Sequence, residues 1–172
     1  AAYGLAASLD SGQAFRWRDT GPGWEGIVHG RWVRARSRSD ELQIEMLDLD
    51  GLPLREDYFQ LRLELGALLG TFPDDEPLNA ARRACHGLRL LRQEPWECLA
   101  SFILSSTKQI VQIRQNIDRL CKRLGSPVDL PVGRGAGHAF PTPQQIASTS
   151  EGDLRACGIG FRAPYLLATA RR

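Results

Sequence analysis

The apolar residues of this chain change their period once, and that change limits the folds open to it. As far as Met46 the period is two. Phe15 and Trp17 alternate with Arg16 and Arg18, and Leu42, Ile44 and Met46 alternate with Gln43 and Glu45. Half-buried strands have this pattern. Trp24 to Val28 and Trp32 to Ala35 read as two further strands around a tight His29-Gly30 turn. Short successive strands with tight turns make an antiparallel sheet. Beyond Met46 the spacing becomes helical. Tyr58, Leu61, Leu65, Leu68 and Leu69 predict one helix ending before Gly70. The fold class is therefore α+β, with an antiparallel sheet first and helices after it.

The later helices carry their own start and stop signals. Leu78 to His86 reads as a short helix stopped by Gly87. Pro95 takes an early helical position after Glu94, and Leu99, Phe102 and Ile103 form one apolar face. Ser105, Ser106 and Thr107 then interrupt the pattern with hydroxyls suited to a cap. Ile110, Ile113, Ile117, Leu120 and Leu124 share a face of the next helix, which Gly125 closes. Residues 125–137 form a glycine- and proline-rich loop. Its Gly133-Arg134-Gly135-Ala136-Gly137 run is no phosphate-binding loop, because no Gly-Lys-Ser/Thr follows. Thr142-Pro143 starts a short helix, and Ser150 with Asp153 resembles a capping box for the next, which Gly158 stops. Ile159 to Arg162 is a short connection, and Pro164 opens a last helix.

With 172 residues, 42% of them hydrophobic, the chain can bury one core or two small ones. Net charge is only +2, but it is segregated: two basic and eleven acidic residues lie between Ser39 and Pro77, against twenty and nine elsewhere. A basic remainder suits a polyanion, and an unevenly charged solvated surface gives the same count. Only Lys108 and Lys122 among the 22 basic residues are lysines. Cys85, Cys98, Cys121 and Cys157 form no C-x-x-C, and His29, His86 and His138 complete no zinc pattern. Buried free thiols in a reducing compartment are the expectation, with no metal and no cofactor. No apolar run is long enough for a membrane helix. The first residues carry no basic-then-apolar signal, so a cytoplasmic (bacterial nucleoid) or nuclear protein is expected, not a secreted one. The chain starts without methionine, and Ala168 to Arg172 lacks a cap or stop, which reads as a fragment cut at both ends.

One stretch is chemically dense: Ser11-Gly12-Gln13-Ala14-Phe15-Arg16-Trp17. Glycine lets another molecule approach the backbone. Aromatics pack or stack, and arginine serves a phosphate or a base edge. Alone, the stretch reads as a turn glycine leading into a strand with Phe15 and Trp17 in a core. Leu90 to Ser106, Phe140 to Ala147 and Leu154 to Arg171 change that balance. In order along the chain, these blocks resemble the eukaryotic-like 8-oxoguanine DNA glycosylases of the helix-hairpin-helix superfamily.

The resemblance implies a twisted sheet related to the TATA-binding protein, then a helical domain. Residues 1–92 would be the N-terminal β domain with its helices, and 93–172 the first part of the helical domain, cut before the hairpin. It implies action on double-stranded DNA containing 8-oxoguanine; no cofactor or membrane is expected, and nothing in the sequence suggests more than a monomer. Such enzymes flip the damaged base into a pocket. A lysine displaces it and the resulting Schiff base leads to strand cleavage, with an aspartate assisting. That lysine and aspartate are expected beyond Arg172, so the fragment alone is expected to be inactive. Lys108, near the expected DNA surface, suits a phosphate contact better than nucleophilic attack.

By the same resemblance, the Gly12 carbonyl reads the lesion. Guanine N7 is an acceptor, and oxidation at C8 turns it into a donor. An acceptor aimed at N7 therefore favours the lesion. Phe161 matches the wedge that fills the gap left by the flipped base, where tyrosine is often found, and Arg162 matches the reader of the orphaned cytosine. Phe161 fits a core contact at the start of a helix equally well. Thr107 and Gln112 stand where the family's asparagine and arginine help to hold that cytosine. Neither offers the same donors, which bears on strictness for cytosine. Thr107 fits a simple helix cap as well. Two other functions stand beside this one: a glycosylase for another damaged base, and a non-catalytic DNA-damage binder.

Overall fold

The structure, a computed structural model, describes residues 3–38, 41–47 and 52–172. Ser39, Asp40 and Asp48 to Gly51, part of the acidic stretch, lie outside the described residues, as do Ala1 and Ala2. After helix α1 (Leu5–Leu9) comes an antiparallel sheet in the order β1 (Arg18–Asp19), β2 (Trp24–Val28), β3 (Arg31–Arg38) and β4 (Glu41–Met46). Val28 pairs with Arg31, and His29 and Gly30 bridge them at φ of 48° and 73°. Two successive left-handed residues match the right-handed twist of the strands they join. Trp24, Val33, Ala35, Ile44 and Met46 face inward. On the outer face Arg34 links Glu25 at 2.8 Å and Glu45 at 3.1 Å across three strands.

Phe15 to Trp17 is not a strand, contrary to its alternation. A strand would put residues 15 and 17 on one face. Instead Phe15 packs against the helical cluster and Trp17 against the sheet cluster, so the chain turns between them. Trp17 is 1% exposed and donates to the Tyr58 hydroxyl at 2.9 Å. Its ring lies on Gly26 of β2, where an added Cβ would meet Trp17 Cδ2 at 2.9 Å.

The single helix expected over Tyr58 to Leu69 is two, α2 (Leu52–Tyr58) and α3 (Leu65–Gly70). Phe59 turns into the sheet core and Gln60 adopts φ of 53°. Two carbonyls in this stretch also have partners from elsewhere: Tyr58 accepts from the Arg92 amide at 2.9 Å, and Leu63 from the Arg89 guanidinium at 2.5 Å. Tertiary bonds here replace helical ones. Helix α4 (Glu76–Ala84) starts two residues earlier than its apolar pattern, because the Asp75 carboxylate caps it.

Helices α5 (Pro95–Ser105), α6 (Ile110–Leu124), α7 (Pro143–Ala147), α8 (Glu151–Ala156) and α9 (Ala163–Ala170) form the second layer. Glu94, Thr142 and Ser150 cap α5, α7 and α8 as their sequences indicate. The loop after α6 holds a two-residue ladder, β5 (Pro127–Val128) with β6 (Gly137–His138). Leu104, Ile117, Leu120, Ile146, Leu154, Ile159 and Leu166 form the helical core, each fully buried. Leu5, Leu9, Tyr58, Phe59 and Leu91 close the sheet core. Charge pairs join the layers, Arg114 with Asp10 at 2.7 Å and Arg18 with Asp118 at 2.9 Å. The thiols divide: Cys121 and Cys157 are buried, but Cys85 and Cys98 are exposed, against expectation. These two lie on the open faces of their helices.

Candidate functional site

Gly12 sits in a turn after α1, at φ of 84°. A Cβ there would be strained in that region and would stand 3.4 Å from Ile110 Cδ1 at the start of α6. Among the described residues nothing donates to the Gly12 carbonyl. The next residue is tightly held. The Gln13 amide nitrogen donates to the carbonyls of Ser8 at 2.8 Å and Arg89 at 2.9 Å, and its oxygen accepts from the Leu91 amide at 2.8 Å. Gln93 in turn donates to the Gln13 carbonyl at 2.6 Å.

The elbow between α5 and α6 is the second part of the site. Its hydroxyls do not cap α6. Gln109 takes the cap position, and the Gln112 side-chain oxygen reaches back to the Gln109 amide at 3.4 Å. Thr107 cannot serve as cap because it adopts φ of 57°, a left-handed conformation that a β-branched residue rarely takes. Its hydroxyl instead accepts from Arg162 Nη2 at 2.7 Å. The same nitrogen donates to the Ser106 carbonyl, and Nη1 donates to Ile159 at 3.3 Å.

Arg162 is thus 3% exposed, where the sequence gives no reason to bury it. Its Nε is buried without a partner. Its charge lies 4.3 Å from the centre of the Phe161 ring, and that ring is 54% exposed. Gly160 to Arg162 forms a single 3-10 turn that holds the pair at the start of α9. Lys108 lies half-buried on the elbow, and Gln112 is exposed on the first turn of α6.

Three distant segments therefore gather all six predicted residues around one helix start. Gly12 reaches it through Ile110, Phe161 and Arg162 through Thr107, and Lys108 and Gln112 belong to it. Backbone amides at a helix start favour anions. The arrangement brings together an open carbonyl, a solvent-facing aromatic, a half-buried lysine and, beneath them, a buried guanidinium. Gln13 and Gln93 were not singled out from the sequence. The only signal was Gln13's place beside Gly12.

A separate cleft of about 710 Å³ opens between β2 and α6. Its charges are paired: Lys122 with Asp118 at 2.8 Å, and Arg134 with Glu25 at 2.6 Å. Burial raises the Asp118 pKa, but Lys122 and Arg18 more than offset it and hold the carboxyl below its usual range. Lys122 is therefore engaged as a counter-ion at the surface. Among the described residues no three acidic, cysteine or histidine side chains could hold a metal, and no helix is long and apolar enough to cross a membrane.

The chain is similar to known proteins in both sequence and fold. Residues 2–99 match the family model of the 8-oxoguanine DNA glycosylase N-terminal domain. The chain is 38% identical over 118 residues to an N-glycosylase/DNA lyase of Saccharomyces cerevisiae, covering 67% of this chain and 31% of that protein. It is 29% identical to the N-glycosylase/DNA lyase OGG1 of Arabidopsis thaliana, covering 96% and 47%. The chain thus spans less than half the length of these two relatives. The crystal structure of a Clostridium acetobutylicum 8-oxoguanine glycosylase/lyase, with double-stranded DNA holding cytosine opposite 8-oxoguanine, superposes with a TM-score of 0.92 at 28% identity. That match covers 99% of this chain and 59% of the other. By its sheet, its helices and this match, the chain belongs to the family of the 8-oxoguanine DNA glycosylase N-terminal domain.

Proposed function

We propose that this chain reads the lesion and the opposite base for an 8-oxoguanine DNA glycosylase and lyase of base excision repair. The observation that carries this is the convergence of Gly12, Lys108, Phe161 and Arg162 on the start of α6. In the proposed pose, a flipped 8-oxoguanine brings its N7 proton to the Gly12 carbonyl. Normal guanine brings a lone pair there instead and is repelled. Phe161 enters the vacated stack, and Arg162 turns out to the orphaned cytosine. Thr107 positions Arg162 through its hydroxyl, Gln112 faces the same side, and Lys108 holds a phosphate. Residues 1–92 carry the sheet side of this reader and 93–172 the helical side, a division supported by the two hydrophobic clusters. Work on duplex DNA places the protein with the genome.

Displacement of the base requires an activated lysine. The exposed, ion-paired state of Lys122 and the elbow position of Lys108 suit neither of them to that role. The 172-residue chain therefore forms no borohydride-trapped adduct with lesion DNA. A trapped adduct would show that one of these lysines is a nucleophile after all. In the natural-length protein, Gly12→Ala weakens binding to an 8-oxoguanine duplex and leaves salt-sensitive binding to undamaged duplex unchanged. Equal weakening on both duplexes would mean a damaged fold rather than a lost reader. Equal affinity of the unmodified protein for both would favour a general DNA binder.

A further inference from the structure

The freedom that suits Gly12 to its role creates a problem. Glycine crosses between left- and right-handed conformations at little cost. A lone glycine therefore does not fix where its own carbonyl points. Telling an N–H from a lone pair at the same base position requires a fixed acceptor, because a carbonyl that swings aside escapes the repulsion from normal guanine. Something outside Gly12 must hold the peptide that joins it to residue 13.

Gln13 is tied on every side. Both hydrogens of its amide nitrogen are used, on Ser8 and on Arg89, and its oxygen takes the Leu91 amide. Two carbonyl partners and one N–H partner fix which way round the amide lies. Its backbone carbonyl is held by Gln93. Ser8 supports the same strip: its hydroxyl accepts from the Arg89 amide at 2.9 Å and donates to Gly4 at 2.7 Å. Residues 88–93 run without a partner strand, and these side chains supply hydrogen bonds that a strand would have given. The Gly12–Gln13 peptide is thus clamped just beyond its free carbonyl. Ile110 Cδ1 lies 3.4 Å from where a Cβ on Gly12 would stand.

We propose that Gln13 and Gln93 are positioning residues that aim the Gly12 carbonyl and so set the preference for the oxidised base. This rests on the lesion-reading role of Gly12. Neither glutamine touches the base. Each acts through the geometry of the peptide between residues 12 and 13.

The test uses the natural-length protein carrying Gln13→Met, Gln93→Met or Gly12→Ala. Binding is measured to a duplex with one 8-oxoguanine and to the same duplex with guanine, across a salt series and beside thermal melting. In Gln93→Met, which removes one bond and keeps the Gln13 side-chain network, the lesion preference falls about fivefold. In Gln13→Met it falls about tenfold or more. Affinity for undamaged duplex holds or rises, and the salt slope stays as it was. If Gln13→Met does not fold, Gln93→Met alone decides. A folded Gln93→Met with full lesion preference, where Gly12→Ala has lost it, overturns the positioning role. Full preference in Gly12→Ala instead overturns the reading on which that role rests.

Discussion

The Gly12 turn and the Thr107–Arg162 elbow meet at one helix start, yet they are built in opposite ways. The turn offers a backbone atom and is locked by neutral side-chain amides, with Trp17 buried in the adjoining sheet core. The elbow offers a charged side chain that is folded away, bound to two carbonyls and one hydroxyl beside a strained residue. The difference follows from what each would read. Sensing one proton on a base edge requires an acceptor that does not move. Gripping an orphaned base requires a group that comes out, and a guanidinium 3% exposed reaches no base without doing so. Under the proposed reading, a held turn beside a guanidinium that comes out would give a rigid test for damage and an adjustable grip on what remains.

The largest expected effect is on the side of the held turn. Trp17→Ala removes a fully buried ring and its bond to Tyr58, and should cost about 3–5 kcal/mol in urea unfolding. A loss below about 1 kcal/mol would show that the sheet core does not depend on this ring, and the held turn would lose its platform.

Next comes Arg162→Met, which keeps much of the bulk and deletes the charge. Ser106 and Thr107 are exposed, so water can replace the lost donors there. Stability should change by less than about 1 kcal/mol. Discrimination between cytosine and adenine opposite the lesion, measured in the natural-length protein, should fall by about 1–3 kcal/mol. A loss of stability equal to that of Trp17→Ala would make Arg162 a structural post and erase the contrast. Smaller still is Thr107→Asn. Asparagine accepts the left-handed conformation more readily than a β-branched residue, and its amide oxygen can still accept from Arg162. A gain of about 0.5–1 kcal/mol in urea unfolding is expected. A loss would mean that the hydroxyl's bond to Arg162 outweighs the strain.

Local chemistry was legible in the sequence wherever it decided the outcome. The His29-Gly30 turn, the capping residues Glu94, Thr142 and Ser150, and the apolar face of α6 all act within a few residues of themselves. Distant partners were not legible. The helix expected through Tyr58 to Leu69 is broken where Tyr58 and Leu63 give their carbonyls to Arg92 and Arg89. Gln13 bonds to residues 76, 78 and 80 positions away, and no local pattern reports that. Arg162 is buried because the Ser106 carbonyl and the Thr107 hydroxyl, 56 and 55 positions away, converge on it, although its own neighbours suggest an exposed turn. The candidate site was legible as a set of residues through a family likeness. The contrast between the clamped Gly12 turn and the buried Arg162 guanidinium became visible only in the packing.

The buried thiols give the finest test of that contrast. Cys121 lies on α6 in the helical core and also borders the cleft toward Arg16 and Trp17. Cys157 ends α8, just before the turn that carries Phe161 and Arg162, and donates to the Asp153 carbonyl at 3.5 Å. Burial pushes the Cys121 thiol up to about 12, with Arg16 offsetting part of it, and burial raises Cys157 as well. Both are therefore protonated thiols at pH 8 and react only when the structure opens locally. Exposed Cys85 and Cys98 should be alkylated first. Of the buried pair, Cys157 should follow before Cys121, because it ends the short α8 beside a 3-10 turn while Cys121 lies within the longer α6. Mass spectrometry of peptides from a timed alkylation reads this order directly. If Cys121 reacts first, α6 opens before the segment that carries Phe161 and Arg162, and the elbow is the tighter part.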